Sequence, residues 1–397
     1  MKILSQHGYG EGNKTSTGLE EGYIDGVVFR PRDILPEKLN EKCEEIRQKF
    51  KHASVLFDPQ LYAGVLTSDA RASLGKLEEY TPYFRRVVLG ALEREKNVVE
   101  TLERVLLFQR SLNVTSAVSP NIIIRRSFDS REGVIAKNFI RLCKGAWSEL
   151  EDKREVYASL VVSRDALMQR EELQEFLNDI TTLETPPDGF YLVIGTSSGE
   201  SRSDIFNADV ISGWMLLNYS LEINGFKVVN GYSDLLSPFL CAVGGDMGCT
   251  GWWSNTRSFS MDQFATRQPG GNLPVQRYLC NALLNRIRFD EFRAWKELVP
   301  EIVNDLDTDD IFSDKQEEPE RAKEVIQSWQ ALTVLCDDLA GRSVRRNLEK
   351  AEERIRAAGL LYDRLESLGL RPDVKSNRDH LDPLSEGITL FRRIAEI

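Results

Sequence analysis

The chain is 397 residues long, 41% hydrophobic and 28% charged, which excludes a disordered or collagen-like polymer and leaves room for one large domain with an appendage. Its 51 Lys and Arg against 62 Asp and Glu give a formal net charge of -11, so broad electrostatic coating of nucleic acid is excluded unless a basic partner supplies the contact. The opening MKILSQHG is broken by Gln6 and His7 before a signal-peptide hydrophobic region develops, and no apolar run reaches membrane-spanning length; a soluble cytoplasmic protein without membrane contact is expected.

Short β-branched or apolar runs recur through the first 255 residues, most of them followed by a helix-length segment, and this alternation predicts a parallel sheet. In chain order the runs are Lys2 to Ser5, Gly26 to Phe29, Ser54 to Phe57, Thr115 to Val118, Ala158 to Val162, Phe190 to Ile194, Lys227 to Val229 and Cys249 to Trp253. Eight such strands close a (β/α)8 barrel of the TIM type, an α/β fold; an open doubly wound sheet is the alternative.

Between them, LPEKLNEKCEEIRQKF sets Leu35, Leu39, Cys43, Ile46 and Phe50 on one helical face, and SREGVIAKNFIRLCKGAWSEL, REELQEFLNDITTL and NADVISGWMLLNYSLEI fit the crossovers after strands four to six. The first crossover, between His7 and Tyr23, is short and Gly-rich, and residues 60 to 111 are too many for a simple crossover, so an excursion precedes the helix NVVETLERVLLFQRSL. The organisation expected is a barrel over residues 1–260, a helical continuation over 261–300, an acidic solvated connector over 301–320 and a C-terminal α-helical extension over 321–397. In that extension Val325, Ile326, Trp329, Leu332 and Leu335 make an apolar face that must be covered, either by the barrel or by a homodimer or protein partner.

Six scattered cysteines with no CxxC pair read as buried free thiols, and three histidines are too few for a His-rich metal centre, so neither a metal nor a cofactor is expected. In a barrel of this kind chemistry sits where the chain leaves each strand. Asp58 is the foremost acid there, because Pro59 disfavours helical backbone at position 58 and turns the carboxylate into the mouth instead of making it a cap. Asp33, Asp165 and Asp234 have the simpler reading of helix caps. His7, between flexible glycines, is a candidate proton shuttle.

Around these, Arg30, Arg32, Arg164 and Arg257 could hold an anion, Gln60, Ser163, Asp234 and Asn255 could hydrogen-bond a substrate, and Tyr62, Tyr232 and Trp252 could stack on a base or sugar. A phosphate is the natural anion, since the loops after strands seven and eight often bind phosphate in this fold.

The stretch GYSDLLSPFLCAVGGDMGCTGWWSNTR resembles the late-barrel segment of the tRNA-guanine and 7-deazaguanine transglycosylases, with Gly231, Asp234, Leu235, Leu236, Gly245, Asp246, Thr256 and Arg257 on the shared outline. The resemblance implies a barrel, glycosyl-bond chemistry on a nucleobase-type ligand, and Asp246 as a second carboxylate beside Asp58. Cys249 stands where that family has its nucleophilic Asp, and the family's zinc-binding cluster and Gly-Gly-Leu loop are absent. The chain as a whole also resembles uncharacterised bacterial barrel proteins of about this length.

Three functions follow. The first is a metal-independent enzyme acting on a nucleobase, nucleoside or other phosphate-bearing small molecule, with catalysis by Asp58, Asp246 and His7; a glycosidase is a variant of it. The second is a barrel scaffold whose helical tail docks a partner, and the third is a subunit of a nucleic-acid-modifying complex with a basic companion.

Overall fold

A computed structural model describes residues 1–66, 73–197, 202–265, 274–312 and 320–397. Eight parallel strands surround a central core: β1 (Lys2–Gln6), β2 (Gly26–Phe29), β3 (Ser54–Phe57), β4 (Ser116–Val118), β5 (Glu155–Ser163), β6 (Gly189–Thr196), β7 (Lys227–Gly231) and β8 (Met247–Thr250). They pair in the order β3-β2-β1-β8-β7-β6-β5-β4. The seam between β3 and β4 is closed by Thr115, whose N–H donates to the Val55 carbonyl at 2.8 Å and whose hydroxyl oxygen accepts from the Val55 N–H at 3.0 Å. The chain is a TIM-type (β/α)8 barrel.

The crossover helices take up the apolar stripes that the sequence provides. They are α1 (Lys14–Glu20), α2 (Pro36–Lys49), α3 (Glu95–Arg110), α4 (Arg131–Glu149), α5 (Arg170–Thr181), α6 (Ala208–Ile223) and the short α7 (Ser237–Cys241). Local chemistry sets their starts: the Ser130 hydroxyl accepts from the Gly133 N–H at 3.2 Å, and the Asn207 side-chain oxygen accepts from Asp209 and Val210. The long segment after β3 forms single turns and a two-stranded ribbon, Val65–Leu66 with Val87–Val88, before α3 begins.

Beyond the barrel the structure departs from the sequence pattern. The segment expected as a helical continuation over 261–300 contains an antiparallel hairpin, β9 (Arg277–Cys280) with β10 (Asn285–Arg288), followed by one short helix at Phe289–Trp295. Tyr278, Leu279 and Cys280 are all buried, as are Leu283, Leu284 and Ile287, so the hairpin is covered on both faces and its near-continuous apolar run cannot be told from a helix by periodicity.

The acidic stretch is also not simply solvated. Ile302 and Thr308 are buried, and Asp309 accepts from the Tyr278 hydroxyl at 3.0 Å; Asp314, Glu317 and Glu318 lie outside the described residues.

Three long helices complete the chain: α8 (Arg321–Leu339), α9 (Val344–Ser367) and α10 (Leu381–Ala395). The apolar face of α8 lies against the barrel. Trp329 is fully buried over Gly18 of α1, where an added Cβ would come within 2.9 Å of its ring, and its indole N–H donates to the Thr250 carbonyl at 3.3 Å. Helix α6 is apolar all round because α10 covers its outer side, with Gly387 against Ile211 and Tyr219 edge-on to Phe391.

Candidate functional site

Two adjoining regions occupy the carboxyl ends of the strands. The first is the closed interior at the carboxyl end of the barrel, a chamber filled by buried side chains. Asp58 is completely buried; its carboxylate accepts from the Tyr62 hydroxyl at 2.7 Å and from the Gln60 N–H at 3.0 Å. The Gln60 amide lies 3.5 Å from the Tyr232 hydroxyl, and the buried Phe259 packs against the rings of Tyr62 and Tyr232 at centroid distances of 5.2 and 5.3 Å.

Burial pushes the Asp58 carboxyl up to about 6, opposed by the Tyr62 and Gln60 hydrogen bonds and by the Arg30 charge. Arg30, wholly buried, is spent on internal partners: Asp33 at 2.5 Å, the Asn255 carbonyl at 2.9 Å and Gln263 at 3.0 Å. Arg32 donates to the Gln263 carbonyl at 2.7 Å, so Arg30 and Arg32 lock the loop after β8 down and do not reach outward for an anion.

Asp33 is therefore an ion-pair partner and not the cap of α2, whose N-cap is Leu35. His7 is buried against Phe29 and Trp252, and burial together with the Arg30 charge pushes its imidazole down to about 3, so it is held neutral.

Asp246 does not join Asp58. It precedes β8, at the opposite rim of the barrel, where its carboxylate accepts from the Val228 N–H at 2.7 Å and its backbone pairs with Val228 and Lys2. It ties the amino ends of β1, β7 and β8 together. Ser163 caps the short helix Arg164–Leu167 through the Ala166 N–H and donates to the Arg125 carbonyl, while Arg164 is paired with Asp204 at 2.7 Å. Ser163 and Arg164 thus build their own loop.

The second region is an open cleft of about 690 Å³ between the loops after β7 and β8 and the elements that follow the barrel. Its lining includes six basic side chains, Lys14, Arg257, Arg277, Arg286, Arg321 and Lys375, against three acids, Asp234, Glu324 and Asp373. In a chain of net charge -11 this is a strong local reversal. Ile205, Phe206, Leu235, Trp252, Trp253 and Val374 make an apolar wall.

Asp234 is the hub: it accepts from Thr250 at 2.5 Å and from Arg286 at 2.7 Å, and Arg286 also donates to Ser328 of α8 at 2.5 Å. Burial alone would raise the Asp234 carboxyl, but Arg286, Arg257 and its hydrogen bonds hold it below the usual carboxylate range. It caps no helix. Arg257 donates to the Gly251 carbonyl at 3.1 Å and lies 3.5 Å from Glu324. Arg277 is held by Asp373 at 2.9 Å and Ser376 at 3.0 Å.

The two regions share a wall. Gln60, Tyr232 and Asp234 all stand at positive φ, 50°, 55° and 39°, conformations that side-chain-bearing residues adopt at a cost and that gather at functional loops. Trp252 separates His7 from the cleft; its indole N–H, like that of Trp253, donates to the Tyr9 carbonyl at 2.7 Å.

Asp234, Trp252 and Arg257 are thus brought to one cleft, and Asp58, Gln60, Tyr62, Tyr232 and Arg30 to the chamber beneath it. Arg277, Arg286 and Glu324 were not among the candidates, because the hairpin and the tail read as helix and appendage; the sequence signal available was Arg286 inside the apolar run LLNRIRF, a charge placement that needs a buried partner.

Among the described residues no group of three His, Cys, Asp or Glu side chains is arranged to hold a metal ion, and no helix is long and apolar enough to cross a membrane.

Fold and cleft together define a (β/α)8-barrel protein with a cleft on its carboxyl face whose charged lining is mostly basic. No family model and no curated protein matches the chain. Among solved structures it is similar to a GH3-family glycosyl hydrolase from Mycobacterium smegmatis, at TM-score 0.39 and 11% identity over 62% of this chain and 82% of that one. It is also similar to dihydrodipicolinate synthase from Oceanobacillus iheyensis, at TM-score 0.27 and 12% identity over 100% of this chain and 97% of that one.

Proposed function

We propose that the protein is a barrel enzyme for a phosphate-bearing small molecule, bound in the cleft with its phosphate toward Arg257 and Arg286 and its base or sugar along Phe206, Leu235 and Trp253. The observation that carries this reading is the concentration of six basic side chains on a cleft formed by the loops after β7 and β8. The transglycosylase outline supports a nucleoside-type ligand, because its Asp234, Leu235, Leu236 and Arg257 all line this cleft.

An Asp held ionised by two arginines is a poor proton donor, yet it suits the positive charge that develops on a sugar as a glycosyl bond breaks. We therefore assign Asp234 to charge stabilisation and glycosyl-bond chemistry to the site.

The test is calorimetric titration with inorganic phosphate, nucleoside 5′-monophosphates and the matching nucleosides, followed by assay for released base. Monophosphates are expected to bind at least tenfold tighter than nucleosides, with the advantage gone in Arg257→Ala. Equal affinity for both ligand types would overturn the reading.

The scaffold alternative is favoured by one observation, the closure of Asp58 under Phe259. Binding without base release would select it.

A further inference from the structure

The cleft treats its arginines unequally. Arg286 is fixed by a carboxylate at 2.7 Å and a hydroxyl at 2.5 Å, and Arg277 by a carboxylate at 2.9 Å and a hydroxyl at 3.0 Å. Arg257 has one carboxylate, Glu324, at the looser distance of 3.5 Å. Burial and the neighbouring Arg286 charge lower the Arg257 pKa, and Glu324 and Asp234 offset this only in part. The Arg257 guanidinium is the least compensated of these three; the fourth cleft arginine, Arg321, makes an exposed hydrogen bond to the Pro274 carbonyl and is not buried.

Glu324 comes from α8, a different part of the chain from the β8 loop that carries Arg257, and it is itself buried with an Arg257-facing carboxylate on the cleft wall. A buried carboxylate left facing no cation is costly, so Glu324 and Arg257 hold one another while nothing else is present. A phosphate offers Arg257 shorter, bidentate, charge-assisted bonds than a single contact at 3.5 Å.

We propose that Glu324 is an internal counter-ion: it occupies Arg257 in the empty cleft and is exchanged for the phosphate of an incoming phosphate monoester, so that the C-terminal extension sets the affinity of the site. This rests on the cleft being the ligand site. Glu324 then acts against binding, as a built-in competitor that keeps weak anions out and admits a ligand whose phosphate out-competes a carboxylate.

The experiment is titration of the full-length protein with inorganic phosphate and with phenyl phosphate, whose ring probes the apolar wall, comparing wild type, Glu324→Gln, Arg257→Ala and the double variant, with thermal melts as a folding control. Glu324→Gln is expected to bind both probes about fivefold or more tighter; Arg257→Ala is expected to lose binding, and the double variant to match Arg257→Ala. Should Glu324→Gln fail to fold, Glu324→Met removes the charge at similar length.

Binding by Glu324→Gln where wild type shows none would also support the exchange. Wild-type binding that Glu324→Gln leaves unchanged or weakens would overturn the counter-ion role and leave the cleft reading standing. Absence of binding in every variant would overturn both.

Discussion

Tyr232 and Asp234, two positions apart on the loop after β7, both stand at positive φ and serve opposite sides of one wall: Tyr232 closes the chamber over Asp58 through Phe259, and Asp234 anchors Arg286 in the cleft. A strained turn at this point lets adjacent residues face different compartments. Its cost is met by the bonds each side chain makes, above all the Asp234 to Arg286 pair.

Removing that pair is the first test. Asp234→Ala leaves the Arg286 guanidinium without its carboxylate in a site where only 7% of the side chain is exposed. A loss of about 3 kcal/mol is expected in urea unfolding, as for other broken buried pairs. Asp234→Asn, which still accepts from Thr250, is expected to lose less; equal losses would mean that the charge is immaterial.

Asp58 makes a prediction with a definite sign. Its folded pKa, raised to about 6, lies above that of the unfolded chain, so the native state holds the proton longer. The stabilisation is full below about pH 4 and is lost as pH rises through 6, up to about 3 kcal/mol for a shift of this size. Asp58→Asn is expected to remove this contribution, so that stability rises more steeply with pH between 4 and 6 than in wild type, read from denaturant midpoints across the range. A pH profile unchanged in the variant would place the proton elsewhere.

His7 works in the other direction. With its folded pKa near 3, the unfolded chain takes up a proton first as pH falls below about 6.5, so stability is full above that value and drains away toward pH 3. His7→Gln is expected to lose less stability below pH 4 and, between pH 4 and 6, to show the Asp58 decline that His7 offsets in wild type. The two residues oppose one another between pH 4 and 6, and the double variant with Asp58→Asn is expected to show a smaller pH dependence than either single one.

How much of this was legible follows from where each signal lives. The eight strands and their helices announce themselves through local periodicity, and Asp58, just after β3, is buried. Asp246 could not be placed the same way, because a carboxylate just before a strand and one just after it look alike until strand boundaries are known to the residue, and Asp246 is the one position ahead of β8. The spending of Arg30 and Arg32 on Gln263 was invisible because those contacts span more than 200 positions. The hairpin hid among helices since both its faces are buried, and with it went Arg277 and Arg286, the cations that define the cleft.

The tail is expected to behave as part of the barrel. Deleting residues 321–397 would uncover Gly18, Ile24 and the face of Trp252 that meets Trp329, and would strip α6 of α10. Loss of the cooperative melt is the expected outcome, and Trp329→Ala alone is expected to cost about 3–5 kcal/mol. A monomeric barrel that melts cooperatively after the deletion would show that the extension is a separate module.

Phe259 offers a way to ask what the sealed chamber does to Asp58. Burial is the largest influence on that carboxyl, and the buried Phe259 ring packs on both Tyr62 and Tyr232. Phe259→Ala removes the ring that packs on Tyr62 while leaving both hydrogen-bond donors to Asp58, the Tyr62 hydroxyl and the Gln60 N–H, in the chain. Water that reaches the carboxylate relieves its desolvation, so the pKa is expected to fall from about 6 toward the ordinary value near 4. Overall stability is expected to drop by about 3–5 kcal/mol from the lost packing. The diagnostic is the combination: lower stability at every pH, with the profile between pH 4 and 6 shifted toward that of Asp58→Asn. If the variant is destabilised and the profile between pH 4 and 6 stays that of wild type, the chamber has collapsed over Asp58 and the ring is filler, not the seal.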